Sequence, residues 1–129
     1  MRLIFILSLF ISTGAYACPS ESGAEITISG VTSIEVYPGP PNYESIDSGD
    51  RAEENWFVTL EKPMCFSRDQ DFMNSEVTIN KLQLLLYKIK GKITLKEGKK
   101  YQFTGITVPS HTGHHRTKVM LEVKTIEVL

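Results

Sequence analysis

All three histidines of this chain fall in one stretch, Ser110-His111-Thr112-Gly113-His114-His115-Arg116-Thr117. Neutral imidazole binds zinc and copper through a ring nitrogen, so one turn could bring two nitrogens to a single ion. Zinc takes four ligands in a tetrahedron, and the spacing of His111, His114 and His115 is that of no standard zinc motif. A metal site here would need a further ligand, such as Asp47 or Asp50. The other chemistry open to the loop is contact with a partner or with its own fold. A buried imidazole would then bond a neighbouring carboxylate or carbonyl. Crowding beside Arg116 and Lys118 disfavours protonation, because each new charge meets others.

A second stretch mixes rigid prolines, aromatic rings and carboxylates: Tyr37-Pro38-Gly39-Pro40-Pro41-Asn42-Tyr43-Glu44-Ser45, then Ser48-Gly49-Asp50 and Glu53-Glu54-Asn55-Trp56. Its oxygens could face calcium, but their spacing is not that of an EF-hand. A stiff aromatic recognition loop fits the composition as well, since long loops in compact domains often carry function. The plain alternative is a solvated connector in which Asn42 and Asp50 bond their own turns.

Catalytic motifs are lacking. The chain holds no G-x-S-x-G elbow, no S-x-x-K and no H-E-x-x-H. A histidine base could meet Asp47 or Asp50 only through the fold. No catalytic residue is assigned, and binding is favoured over enzymatic activity.

The elements that must position these loops are strands. Ile26, Ile28, Ile34 and Val36 share one parity along a strand expected to bend at Gly30. Pro38 to Pro41 stops it. Trp56, Val58 and Leu60 alternate in a second strand expected to end at Pro63. Val77 to Tyr87 is apolar enough for a buried strand, with Leu82, Leu84 and Leu86 in register, and Ile93 and Leu95 continue the pattern weakly. Tyr101 and Phe103 take one parity, Ile106 and Val108 the other, which predicts a bulge and a change of face at Gly105. Val119, Leu121 and Val123 form a last inward row. The sum is an all-β, five- to six-stranded, OB-fold-like barrel, with a short helical turn near residues 68–75. A small sandwich with an added hairpin is the alternative.

The N-terminus indicates export. Arg2, the apolar run Leu3 to Ile11 and the A-x-A pattern Ala15-Tyr16-Ala17 read as a signal peptide over residues 1–17. The run is about half of the roughly 20 residues a membrane span needs. One domain over residues 18–129 would remain, periplasmic or secreted. Its two cysteines, Cys18 and Cys65, predict one disulfide in an oxidising compartment. Acylation of Cys18 is the alternative, though Tyr16 suits a lipoprotein signal poorly. The formal net charge of −1 hides an asymmetry. Residues 18–80 hold Arg51, Lys62 and Arg68 against twelve carboxylates, and residues 81–124 hold ten cations against Glu97 and Glu122. A basic half could attract anions, but in a small barrel opposite charges face each other across neighbouring strands. Nucleic acid is therefore not an expected partner.

The segment Pro38 to Ser45, then Gly49-Asp50, Glu53, Trp56, Leu60, Pro63 and Cys65, with Gly105 and the ending His111 to Thr117, resembles the domain-of-unknown-function 4431 family of short secreted bacterial proteins. The resemblance covers most of Ser29 to Glu127, and Thr112-Gly113-His114-His115-x-Thr117 is its most specific part. It implies a bacterial exported protein and transfers no activity. The chain departs from the family's pattern at Thr107-Val108-Pro109, which bears on the shape of the histidine loop.

The resulting expectation is an exported binding module that meets a protein or cell-envelope ligand. Its face would comprise Tyr37, Asn42, Tyr43, Glu44, Asp50, His111, His114, His115 and Arg116. The rival expectation is zinc or copper held by His111, His114 and His115, for metal capture or hydrolysis.

Overall fold

The computed structural model describes residue 14, residues 17–68 and residues 76–129. The signal sequence expected over residues 1–17 and the helical turn expected near residues 68–75 lie almost wholly outside them. Among the described residues the elements are five strands: β1 (Glu25–Pro38), β2 (Ala52–Phe66), β3 (Val77–Leu85), β4 (Lys100–Pro109) and β5 (Val119–Val128). They close into a barrel in the order β1-β2-β3-β5-β4. Of these five strands, β3 and β5 pair in parallel and the other neighbours antiparallel. This is the small OB-like barrel that the alternation predicts.

Closure depends on β1 serving two neighbours. Residues 25–31 pair with β4 and residues 30–38 with β2, so Gly30 belongs to both ladders. A Cβ on Gly30 would lie 2.1 Å from the Thr59 carbonyl oxygen, which no side chain tolerates. Past Val31 the strand has left β4, so Val36, expected on the inward row, is exposed. Thr32 is buried on that row, and its hydroxyl donates to the carbonyls of Lys96 and Lys99 (2.6 and 3.1 Å).

The change of face expected in β4 does not occur there. Tyr101, Phe103, Gly105 and Thr107 are all buried along one parity. Thr104 pairs with Thr125 while Gly105 pairs with Val123, so the extra residue is Lys124 in β5. The inward row of β5 therefore passes from Val123 to Ile126, which packs on the core. Gly105 is needed for close approach: its Cβ would sit 2.2 Å from the Glu122 carbonyl oxygen.

Pro63 does not end β2, which continues to Phe66. Pairing with β1 stops at Leu60, and pairing with β3 lapses between Thr59 and Met64. Proline falls where the ladder asks for no N–H. The strand expected to reach Tyr87 ends at Leu85, and Ile93 and Leu95 lie in the irregular connection that leads to β4.

Val58, Leu82, Phe103, Val119, Leu121 and Val123 fill the barrel with no exposed surface. Each stabilises the fold by roughly 1.5–3 kcal/mol relative to leaving it in water. A disulfide joins Cys18 to Cys65 across 47 residues. Closing a loop of that size stabilises the fold by about 4 kcal/mol in the chain-entropy model. Beside it, Ser67 N–H donates to Pro19 O and Glu21 N–H to Ser67 O, both 2.9 Å. The sulfur that a lipid anchor on Cys18 would need is committed to this bridge. Among the described residues no helix is long and apolar enough to cross a membrane.

Candidate functional site

Barrel stagger brings two loops together that are far apart in sequence. On the outer face, Gln83 of β3 pairs with Phe57 of β2 on one side and Met120 of β5 on the other. The β4–β5 loop thus enters β5 beside Gln83, near the start of β2, where the β1–β2 loop also ends.

The β1–β2 loop is built around Asp50. This carboxylate is buried and accepts backbone N–H bonds from Asn42 (2.8 Å), Glu44 (2.8 Å) and Ser45 (2.9 Å). The Ser45, Glu44 and Asn42 amides, in that order, hold its pKa below the ordinary aspartate value. Asp50 thus directs both carboxylate oxygens into its own loop, as the turn-bonding alternative has it. The loop neck is closed by Gly39 N–H to Arg51 O (2.7 Å) and Arg51 N–H to Pro40 O (2.9 Å). Tyr43 takes a left-handed conformation (φ 59°) that turns its ring towards the second loop.

That ring meets the histidine loop. Tyr43 and His114 pack edge to face, with centroids 5.2 Å apart. The His114 Nδ1 lies 2.8 and 2.9 Å from the two Glu53 carboxylate oxygens. A carboxylate only accepts, so Nδ1 carries a proton, and Nε2 lies within hydrogen-bond distance (3.0 Å) of the Tyr43 hydroxyl. Gly113 leaves room for this contact, since a Cβ there would be 3.1 Å from the Tyr43 ring.

Arg116 forms the second tie. Its guanidinium lies over the Tyr37 ring at 4.8 Å, and Nη2 donates to Pro38 O (2.9 Å). It makes no ion pair with a carboxylate among the described residues. The Tyr37 hydroxyl donates to Glu35, which also pairs with Lys81. These bonds, Lys81 first, lower the Glu35 pKa, and Glu35 chiefly raises that of Tyr37. Tyr37 leans on Phe57, whose ring is fully buried although it points away from the barrel interior.

Gln83 fixes the loop backbone. Its amide donates to Asn55 Oδ1 and to the His114 carbonyl, both at 3.0 Å, and its Oε1 accepts the Arg116 N–H at 2.6 Å. The Gln83 backbone N–H donates to the Thr117 hydroxyl (2.9 Å). Sequence reasoning missed Gln83, Asn55 and the role of Glu53. The available signal was a lone amide inside the apolar run Leu82-Gln83-Leu84, which must find partners when buried.

The three histidines do not share one centre. His111 Nδ1 donates to Pro109 O (2.9 Å), and its backbone N–H donates to His115 Nδ1 (3.0 Å). Both nitrogens of His114 are engaged. Burial first, then the neighbouring His111 and His114, pushes the His115 pKa down. Among the described residues no three His, Cys, Asp or Glu side chains are grouped to hold a metal ion. Nor do Asp47 or Asp50 meet an imidazole; the carboxylate beside His114 is Glu53. Asn42 and Glu44 stay exposed at the rim. No family model, curated protein or solved structure matches the chain.

Proposed function

We propose that this protein is an exported, periplasmic or secreted bacterial module that binds a protein or cell-envelope ligand. The binding face is the joined surface of the β1–β2 and β4–β5 loops. One observation carries the reading: Tyr43 and Arg116 are each held across the two loops, so the surface is rigid before any ligand arrives. Rigid tyrosine and arginine side chains lose little conformational freedom on binding and are favoured as interface anchors. Exposed Asn42 and Glu44 flank them with polar groups, as interface rims have. Barrels of this type commonly bind through these same two loops, an argument from fold analogy alone. The Cys18–Cys65 bridge and the likeness of the Thr112–Thr117 segment to the 4431 family both favour export.

Co-sedimentation with purified peptidoglycan sacculi, and retention on immobilised envelope-protein fractions, test the reading. The intact protein should be retained by one of these. Tyr43→Ala, folded by circular dichroism, should be retained at least tenfold less. Equal retention of the two proteins, or none of either, overturns it.

A further inference from the structure

A groove of about 340 Å³ opens at one end of the barrel, lined by Trp56, Leu86, Ile89, Lys90, Ile93 and Leu95 among others. It lies on the other side of β2 from the loop face: Asn55 and Phe57 turn outward, whereas Trp56 packs against the core. Both walls are anchored. Ile89 is buried in the core, and the turns around it are closed by Ile89 N–H to Leu86 O and Lys92 N–H to Ile89 O (3.1 and 3.0 Å). The far wall is tied to Thr32 through Lys96 and Lys99, and Tyr101 accepts the Lys96 N–H (3.0 Å).

Positive charge predominates around this groove. The connection from Leu86 to Lys99 holds five lysines and one carboxylate, Glu97. Glu97 accepts the Ile34 N–H (3.1 Å). Lys88 is paired with Glu122, and Lys99 lies 5.9 Å from the centroid of the Tyr101 ring. Lys90, Lys92 and Lys96 have no ion pair among the described residues, and Lys90 itself lines the groove. Exposed Ile93 adds apolar surface at the groove's rim.

We infer that this groove binds a small single-chain amphipathic anion, with its apolar body against Trp56, Ile93 and Leu95 and its charged head among Lys90, Lys92 and Lys96. An apolar lining with a few converging polar groups is what small-ligand sites require. The volume is at the lower end of such sites, which fits one short chain and not a patch of bilayer. This site is independent of the loop face.

Trp56 is the only tryptophan of the chain, so its fluorescence reports on this groove alone. Decanoate, below its micellar concentration, should change Trp56 emission saturably. Decanol and decyltrimethylammonium, matched in chain length, should do so at least fivefold more weakly. Lys90→Glu with Lys92→Glu should weaken decanoate binding by about fivefold or more, and Ile93→Asp should abolish it. These positions are exposed, so the variants should fold. Tyr43→Ala should bind decanoate normally, which separates this result from any failure of the loop-face reading. Equal response to all three chains overturns the assignment of an anion. A response to anionic lipid vesicles without one to decanoate replaces the free ligand with a membrane surface and overturns the proposal, as does no response at all.

Discussion

The hydroxyl of Tyr43 reaches Nε2 of His114 at 3.0 Å, and these residues are 71 positions apart in the chain. Glu53 holds the other side of the same ring. One imidazole thus locks the β1–β2 loop, the start of β2 and the β4–β5 loop in a single arrangement. The histidine works here as a structural bridge whose Nδ1 proton faces Glu53.

Removing the hydroxyl tests that bridge. Tyr43→Phe keeps the ring on Gly113 and loses one hydrogen bond, at a cost of about 1 kcal/mol. Gly113→Ala should loosen the same junction by a different route, because the added methyl meets the ring at 3.1 Å. Hydrogen exchange should accelerate at the amides of both loops in either variant, with the core strands unchanged. Unaltered exchange would show that the bridge does not restrain the loops.

Gln83 should be the most sensitive single polar position. Truncation to alanine strands Asn55 in a buried setting and the His114 carbonyl and Arg116 amide in a partly buried one. Leaving such groups without partners costs about 1–3 kcal/mol. For a domain of this size the expected fall in Tm is roughly 4–20 °C. Gln83→Glu is the control, since it keeps the acceptor for Arg116 and loses the two donated bonds. A Tm within 1 °C of the wild type for Gln83→Ala would refute the hub.

Acid should release the first loop through Asp50. Its folded-state pKa lies below the unfolded value, because three backbone amides bond the charged form. The stabilisation is therefore present above the unfolded pKa, near 3.9, and is lost as pH falls through the folded pKa. Asp50→Asn should lower Tm at neutral pH and flatten the dependence below about pH 4. Thermal melts from pH 7 to pH 2 check both effects; parallel profiles for the two proteins would exclude Asp50 as the clamp.

The strands were legible because burial in a barrel is one-sided. Ile26 and Ile28, Leu82 and Leu84, and Val119 to Val123 each alternate towards the interior, and alternation is what periodicity detects. Gly30 and Gly105 stand out in the sequence because each interrupts an apolar strand, and both prove to be points of close backbone approach. The partner of Gly105 does not stand out, since the extra residue that changes face is Lys124 on β5 and pairing is invisible in one strand. The site was legible as two loops and illegible as a geometry. Nothing local marks Phe57 as buried on the outer face: the loops that cover it arrive from elsewhere in the chain. In the sequence Asp50 is indistinguishable from the surface carboxylates, because its three amide donors exist only once the loop has closed.

The second loop should respond to pH in a different window, through His115. Burial holds its pKa below the ordinary imidazole value, and positive charge on His111 and His114 pushes it the same way. For a base with a lowered folded pKa, the unfolded chain takes up the proton first. Stability is therefore complete above the unfolded pKa, near 6.5, and falls as pH drops below it towards the folded pKa. The geometry acts in the same direction: His115 Nδ1 accepts the His111 N–H, and an Nδ1 that carries a proton cannot accept it. Proton NMR titration should show the His115 signals moving at lower pH than those of a model imidazole. The backbone amide of His111 should shift along the same curve. His115→Gln should reduce the loss of Tm between pH 7 and pH 5.5 that the wild type shows. A His115 midpoint at or above 6.5 would mean that the ring is solvated, and the β4–β5 loop would then lack the internal packing on which its rigidity depends.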